Sequence, residues 1–546
     1  MKIRERMKQV ESSDAVFVAV LIAAAIYYAV FIYKSSFLID GERYFVLFDD
    51  AMISMNYARN FAQGEGLVWN MGERVEGYSN LLWVLIMAFF HLLPIASAKI
   101  SLTIQALGAV FSLATLIFVK LTADEVSKGN GWIGVIAAFI TAFYYPLLNW
   151  NLLGNEVSIL AMLITAAVWL ALRSLRLRRV SIWLYIVIAI GTFVRIDAVL
   201  PFVVIILFLV IVDRDHRRQH LLAGIGIIAV SLILQFAFRG AYYGDWLPNT
   251  YYLKMTGASF LLRVTRGLFV FVKFVWNLNW LLFLLPFIVF VIQRDKGTTL
   301  IMLVILVQAA YSIYVGGDAW EHRGGSNRFI SGIMPLYFTL FTLSLDRVRV
   351  ALLTRAKAAR TQASEAMTML GVFVLAGISL LNFNAVLDTA SLRYSLLRGQ
   401  PLYVRGNERN TTIGLFTKEI TMEDATVALV AAGAEPYFSE RTSIDMFGKS
   451  DPKIARGEMH IPADLALIDF RPGHMKWDYS WSIGSLEPDV VVEIWGGTSK
   501  EAAPYLDDYL VINVDDLTPF LPDGRMYLRR DSSNIHWDKV SEFIKE

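Results

Sequence analysis

The sequence predicts a polytopic α-helical membrane protein with a C-terminal α/β domain outside the bilayer. Three observations predict it. Of the 546 residues 56% are hydrophobic and 18% charged, with a mean hydropathy of +0.50, whereas a soluble chain carries about 25% charged residues. Apolar stretches of span length recur from residue 15 to about residue 384. Beyond that point the sequence turns mixed and polar, with short β-rich runs. The 50 basic and 48 acidic residues leave a net charge of +2, so no nucleic-acid partner is expected. With no cysteine in the chain, thiolate nucleophiles, Cys-ligated zinc and disulfides are excluded.

The start, MKIRERMK, is basic and precedes an apolar run over 15–33 that lacks a small-residue cleavage pattern. It reads as an uncleaved signal anchor with a cytoplasmic N-terminus. Further spans are predicted at 101–120, 132–149, 157–173, 181–195, 198–213, 220–238, 268–292, 299–315, 329–345 and 367–384, about eleven in all. Charge supports this alternation, because the inner loops at 120–130, 173–179 (RSLRLRR), 213–220 (DRDHRRQH), 293–297 and 346–360 are mostly basic. The outer loops collect carboxylates and glycines instead.

The 81–93 run is too short to cross and is expected to lie on the membrane surface. Residues 34–97 thus form one long outer loop. It holds a second helix over 51–62, with Met55, Ala58 and Ala62 on one face and Asn56, Asn60 and Gln63 on the other. An odd number of crossings leaves the tail outside, which divides the chain into a membrane domain, 1–384, and an extracytoplasmic domain, 385–546. Strands are expected at 425–430, 465–470, 490–495 and 509–514. No tandem repeat or low-complexity tract is evident.

Asp49 and Asp50 stand just after the first span, at the start of the surface helix. Adjacent carboxylates at a membrane surface can supply a general base and a partner that orients it. The plainer reading is a helix cap, which explains one aspartate and leaves the other over. A glycine-punctuated loop, GEGLVWNMGERVEGYSN, follows.

The stretch FDDAMISMNYARNFAQGEGLVWNMGERVEGYSNLLWVLIMAF closely resembles the first outer loop of the terminal arabinofuranosyltransferases of the mycobacterial cell wall and their bacterial relatives. GDWLPNTYYLK at 244–254, VGGDAWEHRGGSNRFISGIMPL at 315–336, AAGAEPYFSERTSIDMFGKSDPKIAR at 431–456 and PGHMKWDYSW at 472–481 resemble later elements of the same family, in order. The EHRGGSN segment is longer than usual and LLGNE at 152–156 is a variant motif, so the sugar and the acceptor stay open.

The resemblance implies the GT-C class of polytopic transferases. These use polyprenyl-phosphate sugars and hold the catalytic base in an acidic pair of the first outer loop, matched here by Asp49 and Asp50. It makes Glu76, Tyr78, Asn80, Glu156, Asp245, Asn249, Tyr251 and Asp318 candidate substrate contacts.

The chemistry such a site needs can be traced in the residues. A departing phosphate calls for cations, and Lys254 and Arg328 each end an outer motif. Interfacial snorkelling, or for Arg328 an ion pair with Asp318, explains them equally well. Asp49 would take a proton from the acceptor hydroxyl, with inversion at the anomeric carbon. Asp50 would orient Asp49, contact the sugar or hold a divalent cation, the one cofactor in question. Arg195 is a third phosphate candidate, although an ion pair with Asp197 that turns the chain between two helices accounts for it more simply. Helix-start electrostatics account for Glu156.

In the tail, Trp477, Tyr479, Trp481 and Trp495 read first as core and second as sugar platforms. No G-x-G-x-x-G surrounds Gly433, and His322, His460 and His474 lack zinc spacing.

The leading expectation is an inverting glycosyltransferase of the cytoplasmic membrane that moves a sugar, arabinofuranose in the first instance, from a polyprenyl-phosphate donor to a glycan or glycolipid acceptor outside. A transporter or flippase of a lipid-linked glycan intermediate is the alternative. It predicts ionisable motifs on both faces, whereas here the motif loops lie on one side. A non-catalytic assembly factor is a third class, hinted at only by the altered 316–328 segment.

Overall fold

The computed structural model describes residues 2–319, 321, 326–355, 362–385, 389–514 and 524–541. Helices dominate up to Asn384 and a five-stranded sheet follows. The first helix, α1 (Lys2–Lys34), ends in a short hairpin of β1 (Phe37–Ile39) and β2 (Glu42–Tyr44). The outer loop then carries α2 (Asp49–Ala62) and α3 (Leu81–His91). At eleven residues, α3 rises about 16 Å, half a bilayer core.

Next come α4 (Ser97–Val126), α5 (Gly131–Ala142), α6 (Tyr145–Leu152), α7 (Val157–Leu177), α8 (Ile182–Val194) and α9 (Val199–Val212). Six helices are long and apolar enough to cross a membrane singly: Ser12–Lys34, Ser97–Val126, Val157–Leu177, Arg217–Tyr242, Lys296–Tyr314 and Ser364–Asn384.

Several expected crossings take a different form. The 132–149 span is broken into α5 and α6 at an angle of 61°. Pro146 sits in the first turn of α6, where its missing N–H costs nothing, so a new helix starts there. The 268–292 span is two helices, Phe260–Asn277 and Trp280–Ile292, turned by 98°. Asn279 between them adopts a φ of 67°, which no helix tolerates, and a short residue that reaches left-handed backbone supplies it. The helix expected at 329–345 begins at Met334 and runs on to Arg355, so much of the basic 346–360 loop is helical. The end of that loop, like His322, lies outside the described residues.

The tail sheet has the order β4-β3-β5-β7-β6. Strand β3 (Thr426–Leu429) lies parallel to β4 (Thr442–Asp445) and to β5 (Val490–Val491), and Ala428 pairs with both Ile444 and Val491. Strands β6 (Tyr509–Asn513) and β7 (Arg525–Arg529) close the sheet antiparallel. Three expected strands are present. The fourth, at 465–470, is a run of turns in which Leu465 N–H bonds Pro462 O and Asp469 N–H bonds Ala466 O. Prolines at 462 and 472 bracket it, and its N–H groups at Leu465 and Asp469 are used within local turns.

Of the expected polar face of the surface helix, Gln63 is exposed but Asn56 and Asn60 are not solvated, contrary to the amphipathic pattern. Asn56 Nδ2 donates to Gly433 O at 2.9 Å, and Asn60 Nδ2 to Val68 O and Trp69 O at 3.0 and 2.9 Å. Both asparagines are buried. The tail and the glycine-punctuated loop cover α2, and buried amides require such partners.

Candidate functional site

Asp49 and Asp50 open α2 as its first two residues, after Phe48. Neither caps the helix by a side-chain hydrogen bond. Phe48 N–H bonds Leu153 O at 2.9 Å, which fixes the start of α2 against the LLGNE turn. The two carboxylates diverge from there.

Asp50 faces cations. Arg328 Nη1 donates to its Oδ2 at 2.9 Å and Lys449 Nζ to its Oδ1 at 2.7 Å. Arg328 also forms a two-pronged pair with Asp318, at 2.7 and 3.0 Å. Burial pushes the Asp50 carboxyl up, but Lys449, Arg328 and Lys254 outweigh it and hold it well below the usual carboxylate range. Lys254 stands in the same cluster without a hydrogen bond among the described residues. Burial and neighbouring Arg328 push its ammonium down to about 8, against the pull of Asp318 and Asp50. Of these three cations, Arg328 and Lys449 are ion-paired and Lys254 has no ion pair among the described residues.

Asp49 faces the tail, where its Oδ1 accepts from Ala434 N–H at 3.0 Å and from Asn410 Nδ2 at 3.3 Å. Burial pushes its carboxyl up, opposed mainly by Lys449. Gly433 makes this contact feasible: a Cβ there would overlap the Asp49 carbonyl oxygen, so only glycine lets the two backbones approach so closely. Nearby Glu435 is 1% exposed, and among the described residues neither of its carboxylate oxygens accepts a hydrogen bond, Arg409 standing 4.0 Å away. Burial, reinforced by Glu493, pushes that carboxyl well up.

Lys449 reaches Asp50 because β4 ends in a loop built on Asp445, whose carboxylate accepts from the N–H groups of Phe447, Gly448 and Ser450. Asn249 braces the same loop, donating to Gly448 O, Lys449 O and Asp451 O at 2.9 to 3.2 Å.

Three cavities meet at this cluster. A small void of about 40 Å³ is lined by Val157, Leu160, Ile164 and Ile333 and by Glu156, Arg195, Asp197 and Arg328. A pocket of about 70 Å³ holds Lys254, Arg328, Arg195, Asn80, Glu156 and Asp50. A wide cavity of about 620 Å³ opens on the tail side, with Asp49, Asp50 and Lys449 in its wall.

The structure gathers Asp49, Asp50, Lys254, Arg328, Arg195, Tyr78, Asn80 and Glu156 around these cavities. Asp318 lines none of these cavities and joins them through its pair with Arg328. Arg195 is paired on two sides, with Asp197 at 2.8 and 2.9 Å and with Glu156 at 2.6 Å. Asn80 bridges Glu156 to Ser54.

Four candidates point elsewhere. Glu76 is buried against Arg239 at 2.8 and 3.1 Å. Asp245 binds Arg456 and the Tyr252 hydroxyl. Asn249 is spent on the Lys449 loop, and Tyr251, 41% exposed, packs edge-on against Tyr252. Glu76, Asp245 and Asn249 are held away by local ion pairs or carbonyls, and Tyr251 by its ring contact.

The sequence reading did not single out Lys449, Asn410 or Glu435. Lys449 lies inside a quoted motif, and a lone lysine after Phe-Gly carries no signal of its own.

A divalent cation fits poorly. Both Asp50 oxygens already accept from cations, and the surrounding charge is positive. Among the described residues no three His, Asp or Glu side chains form a metal-binding group. The donor set suits an anion.

The family described as "Domain of unknown function (DUF8728)" matches residues 400–543. No curated protein matches the sequence. Among solved structures, the chain is similar to ArnT from Cupriavidus metallidurans bound to undecaprenyl phosphate, with 12% identity and a TM-score of 0.53 over 95% of this chain and 98% of that one. It is also similar to the Archaeoglobus fulgidus oligosaccharyltransferase tethered with an acceptor peptide, with 12% identity and a TM-score of 0.52 over 96% of this chain and 74% of that one. At such identity the likeness is one of fold: a polytopic GT-C-type helical domain followed by a sheet-containing domain.

Proposed function

We propose that the protein is an inverting membrane glycosyltransferase. It takes a sugar from a polyprenyl phosphate and adds it to a glycan or glycolipid outside the cytoplasmic membrane, with the N-terminus inside and the tail outside. The observation that carries this reading is a series of three cavities that share residues: a small one at Arg195 and Arg328, a second at Arg328, Lys254 and Asp50, and a wide one with Asp49 and Asp50 in its wall. The cations of the second suit a phosphate, and the third has room for an incoming acceptor. The neighbour that binds undecaprenyl phosphate supports the same class of donor. Arabinofuranose is the sugar favoured by the motif resemblance.

In this mechanism Asp49 removes the acceptor hydroxyl proton while the acceptor oxygen bonds the anomeric carbon. The carbon–oxygen bond to phosphate breaks on the opposite face, and its electron pair leaves with the phosphate. Lys254 and Arg328 stabilise that departing charge. Asp50 stays ionised and holds Arg328 and Lys449 in place. The raised affinity of Asp49 for protons suits a base, because a carboxylate fixed by three cations is a weak one.

The test incubates purified protein with a panel of polyprenyl-phosphate sugars and acceptor glycans. Wild type should form a new glycosidic bond and Asp49→Asn should not; product that survives both Asp49→Asn and Asp50→Asn overturns the assignment. A transporter would move labelled cargo across sealed vesicles and make no bond.

A further inference from the structure

The wide cavity above Asp49 carries more positive charge than the reaction at Asp49 uses. Arg393, Arg398, Arg405, Arg409, Lys449 and Arg471 face it, against the carboxylates of Asp49, Asp50 and Glu493. Arg409 is matched by Glu493, and Lys449 by Asp50. The guanidinium groups of Arg393, Arg398 and Arg471 make no hydrogen bond or ion pair among the described residues. Three arginines without carboxylate partners thus line one cavity, and an anion there would find its counter-charge in them.

The position of these arginines narrows the ligand further. The segment that bears Arg393 and Arg398 follows the last crossing helix, Ser364–Asn384. Tyr27 Oη donates to Ser395 O at 2.6 Å and Lys34 Nζ to Leu397 O at 2.5 Å, which pins the segment on the end of the first crossing. Leu396, between the two arginines, is 50% exposed. Arginines flanking an exposed leucine at the end of a crossing form a surface that suits lipid headgroups above and acyl chains below. The cavity therefore opens at headgroup level. Planar guanidinium forks match the paired oxygens of phosphate or carboxylate.

We propose that the wide cavity takes an acceptor anchored in the outer leaflet and bearing an anionic group, an acidic or phosphorylated glycolipid, held by Arg393, Arg398 and Arg471. This rests on the glycosyltransferase reading and adds the chemical class of the acceptor. A neutral polymer would leave the three arginines unmatched.

The experiment titrates the purified full chain, in neutral phosphatidylcholine nanodiscs, with decyl phosphate, inorganic phosphate and decyl maltoside, by calorimetry. The variants are the triple Arg393→Gln/Arg398→Gln/Arg471→Gln, its triple-lysine counterpart and Lys254→Gln. Decyl phosphate should bind in two classes, one lost in Lys254→Gln and the other weakened about 10-fold or more in the triple-glutamine variant. The lysine counterpart should keep most of the second class, and added salt should weaken it.

A single class removed only by Lys254→Gln overturns the acceptor proposal and leaves the donor reading standing. A single class removed only by the triple-glutamine variant supports the arginine site and counts against the donor site. Inorganic phosphate binding as tightly as decyl phosphate overturns the lipid anchor, and decyl maltoside binding as tightly overturns the anion. An unchanged melting temperature in the triple variant separates loss of the site from loss of the fold.

Discussion

Asp49 and Asp50 are neighbours in sequence, yet they look into two differently built halves of the site. The Asp50 half is made by membrane-domain loops and by Lys449, and it is ionic: two cations touch the carboxylate and a third stands by. The Asp49 half is made by the tail, and its hydrogen bonds come from neutral donors, Ala434 N–H and Asn410. The difference teaches how one sequence pair can serve two roles. A carboxylate saturated by cations is an anchor, and one held by neutral groups in a dry wall keeps its basicity.

Replacing each aspartate separates the halves most sharply. Asp49→Asn keeps the shape and the neutral contacts and removes the base, so kcat is expected to fall roughly 10²–10⁴-fold, with donor KM little changed. Asp50→Asn leaves Arg328 and Lys449 short of a counter-charge, so donor KM should change along with kcat. Identical kinetic profiles for the two variants, measured with one donor and one acceptor, would erase the distinction.

Gly433→Ala attacks the seam between the halves. The added methyl group collides with the Asp49 carbonyl and must push the tail loop or the start of α2 aside. A displacement near 1 Å at a reacting group costs about 10²-fold in rate. Turnover should drop by that order while the protein still inserts and folds, which a melting curve would check. Near-normal turnover would mean that Asp49 does not need the tail.

Much of this was legible in the sequence. The crossings follow from long apolar runs, and the pairing of Arg328 with Asp318 and of Arg195 with Asp197 from opposite charges placed close together at helix ends. Where the reading fell short, the cause is long-range contact. Lys449 lies 399 positions from Asp50 and Asn410 lies 361 from Asp49, separations across which no periodicity or spacing carries information. The 98° turn at Asn279 was hidden because the apolar run passes through it unbroken, and apolarity does not record direction. The polar face of α2 misled for a related reason: asparagine is equally at home in water or bonded to carbonyls inside a protein.

The cationic half should reveal itself through pH. An ammonium pushed down to about 8 by burial is protonated below that value and neutral above it, so Lys254 loses its charge as pH rises through about 8. Donor kcat/KM is then expected to fall roughly 10-fold per pH unit on the alkaline side, as one essential proton is lost. In Lys254→Arg the guanidinium stays charged, so the alkaline limb should disappear even if the maximum is lower. Asp49→Asn should leave the limb where it is. A limb that persists in Lys254→Arg assigns the titration to another group.

The smallest kinetic effect is expected at Glu76, which also lies in the first outer loop and is paired with an arginine. Its partner Arg239 is 2% exposed, and the pair lines none of the three cavities, whereas the Asp50–Arg328 pair borders all three. Burial around Glu76 therefore serves the fold. Removing one side of such a pair strands the other in a dry interior, at a cost of about 3–5 kcal/mol. Glu76→Ala should lower the melting temperature markedly, while KM for donor and acceptor in the folded fraction stays within about 2-fold, because side chains away from substrate alter binding little. Glu76→Gln keeps an oxygen for Arg239 and should recover part of the stability. A KM that rises while the melting temperature holds would return Glu76 to the substrate side and show that the loop opens further than its ion pair allows.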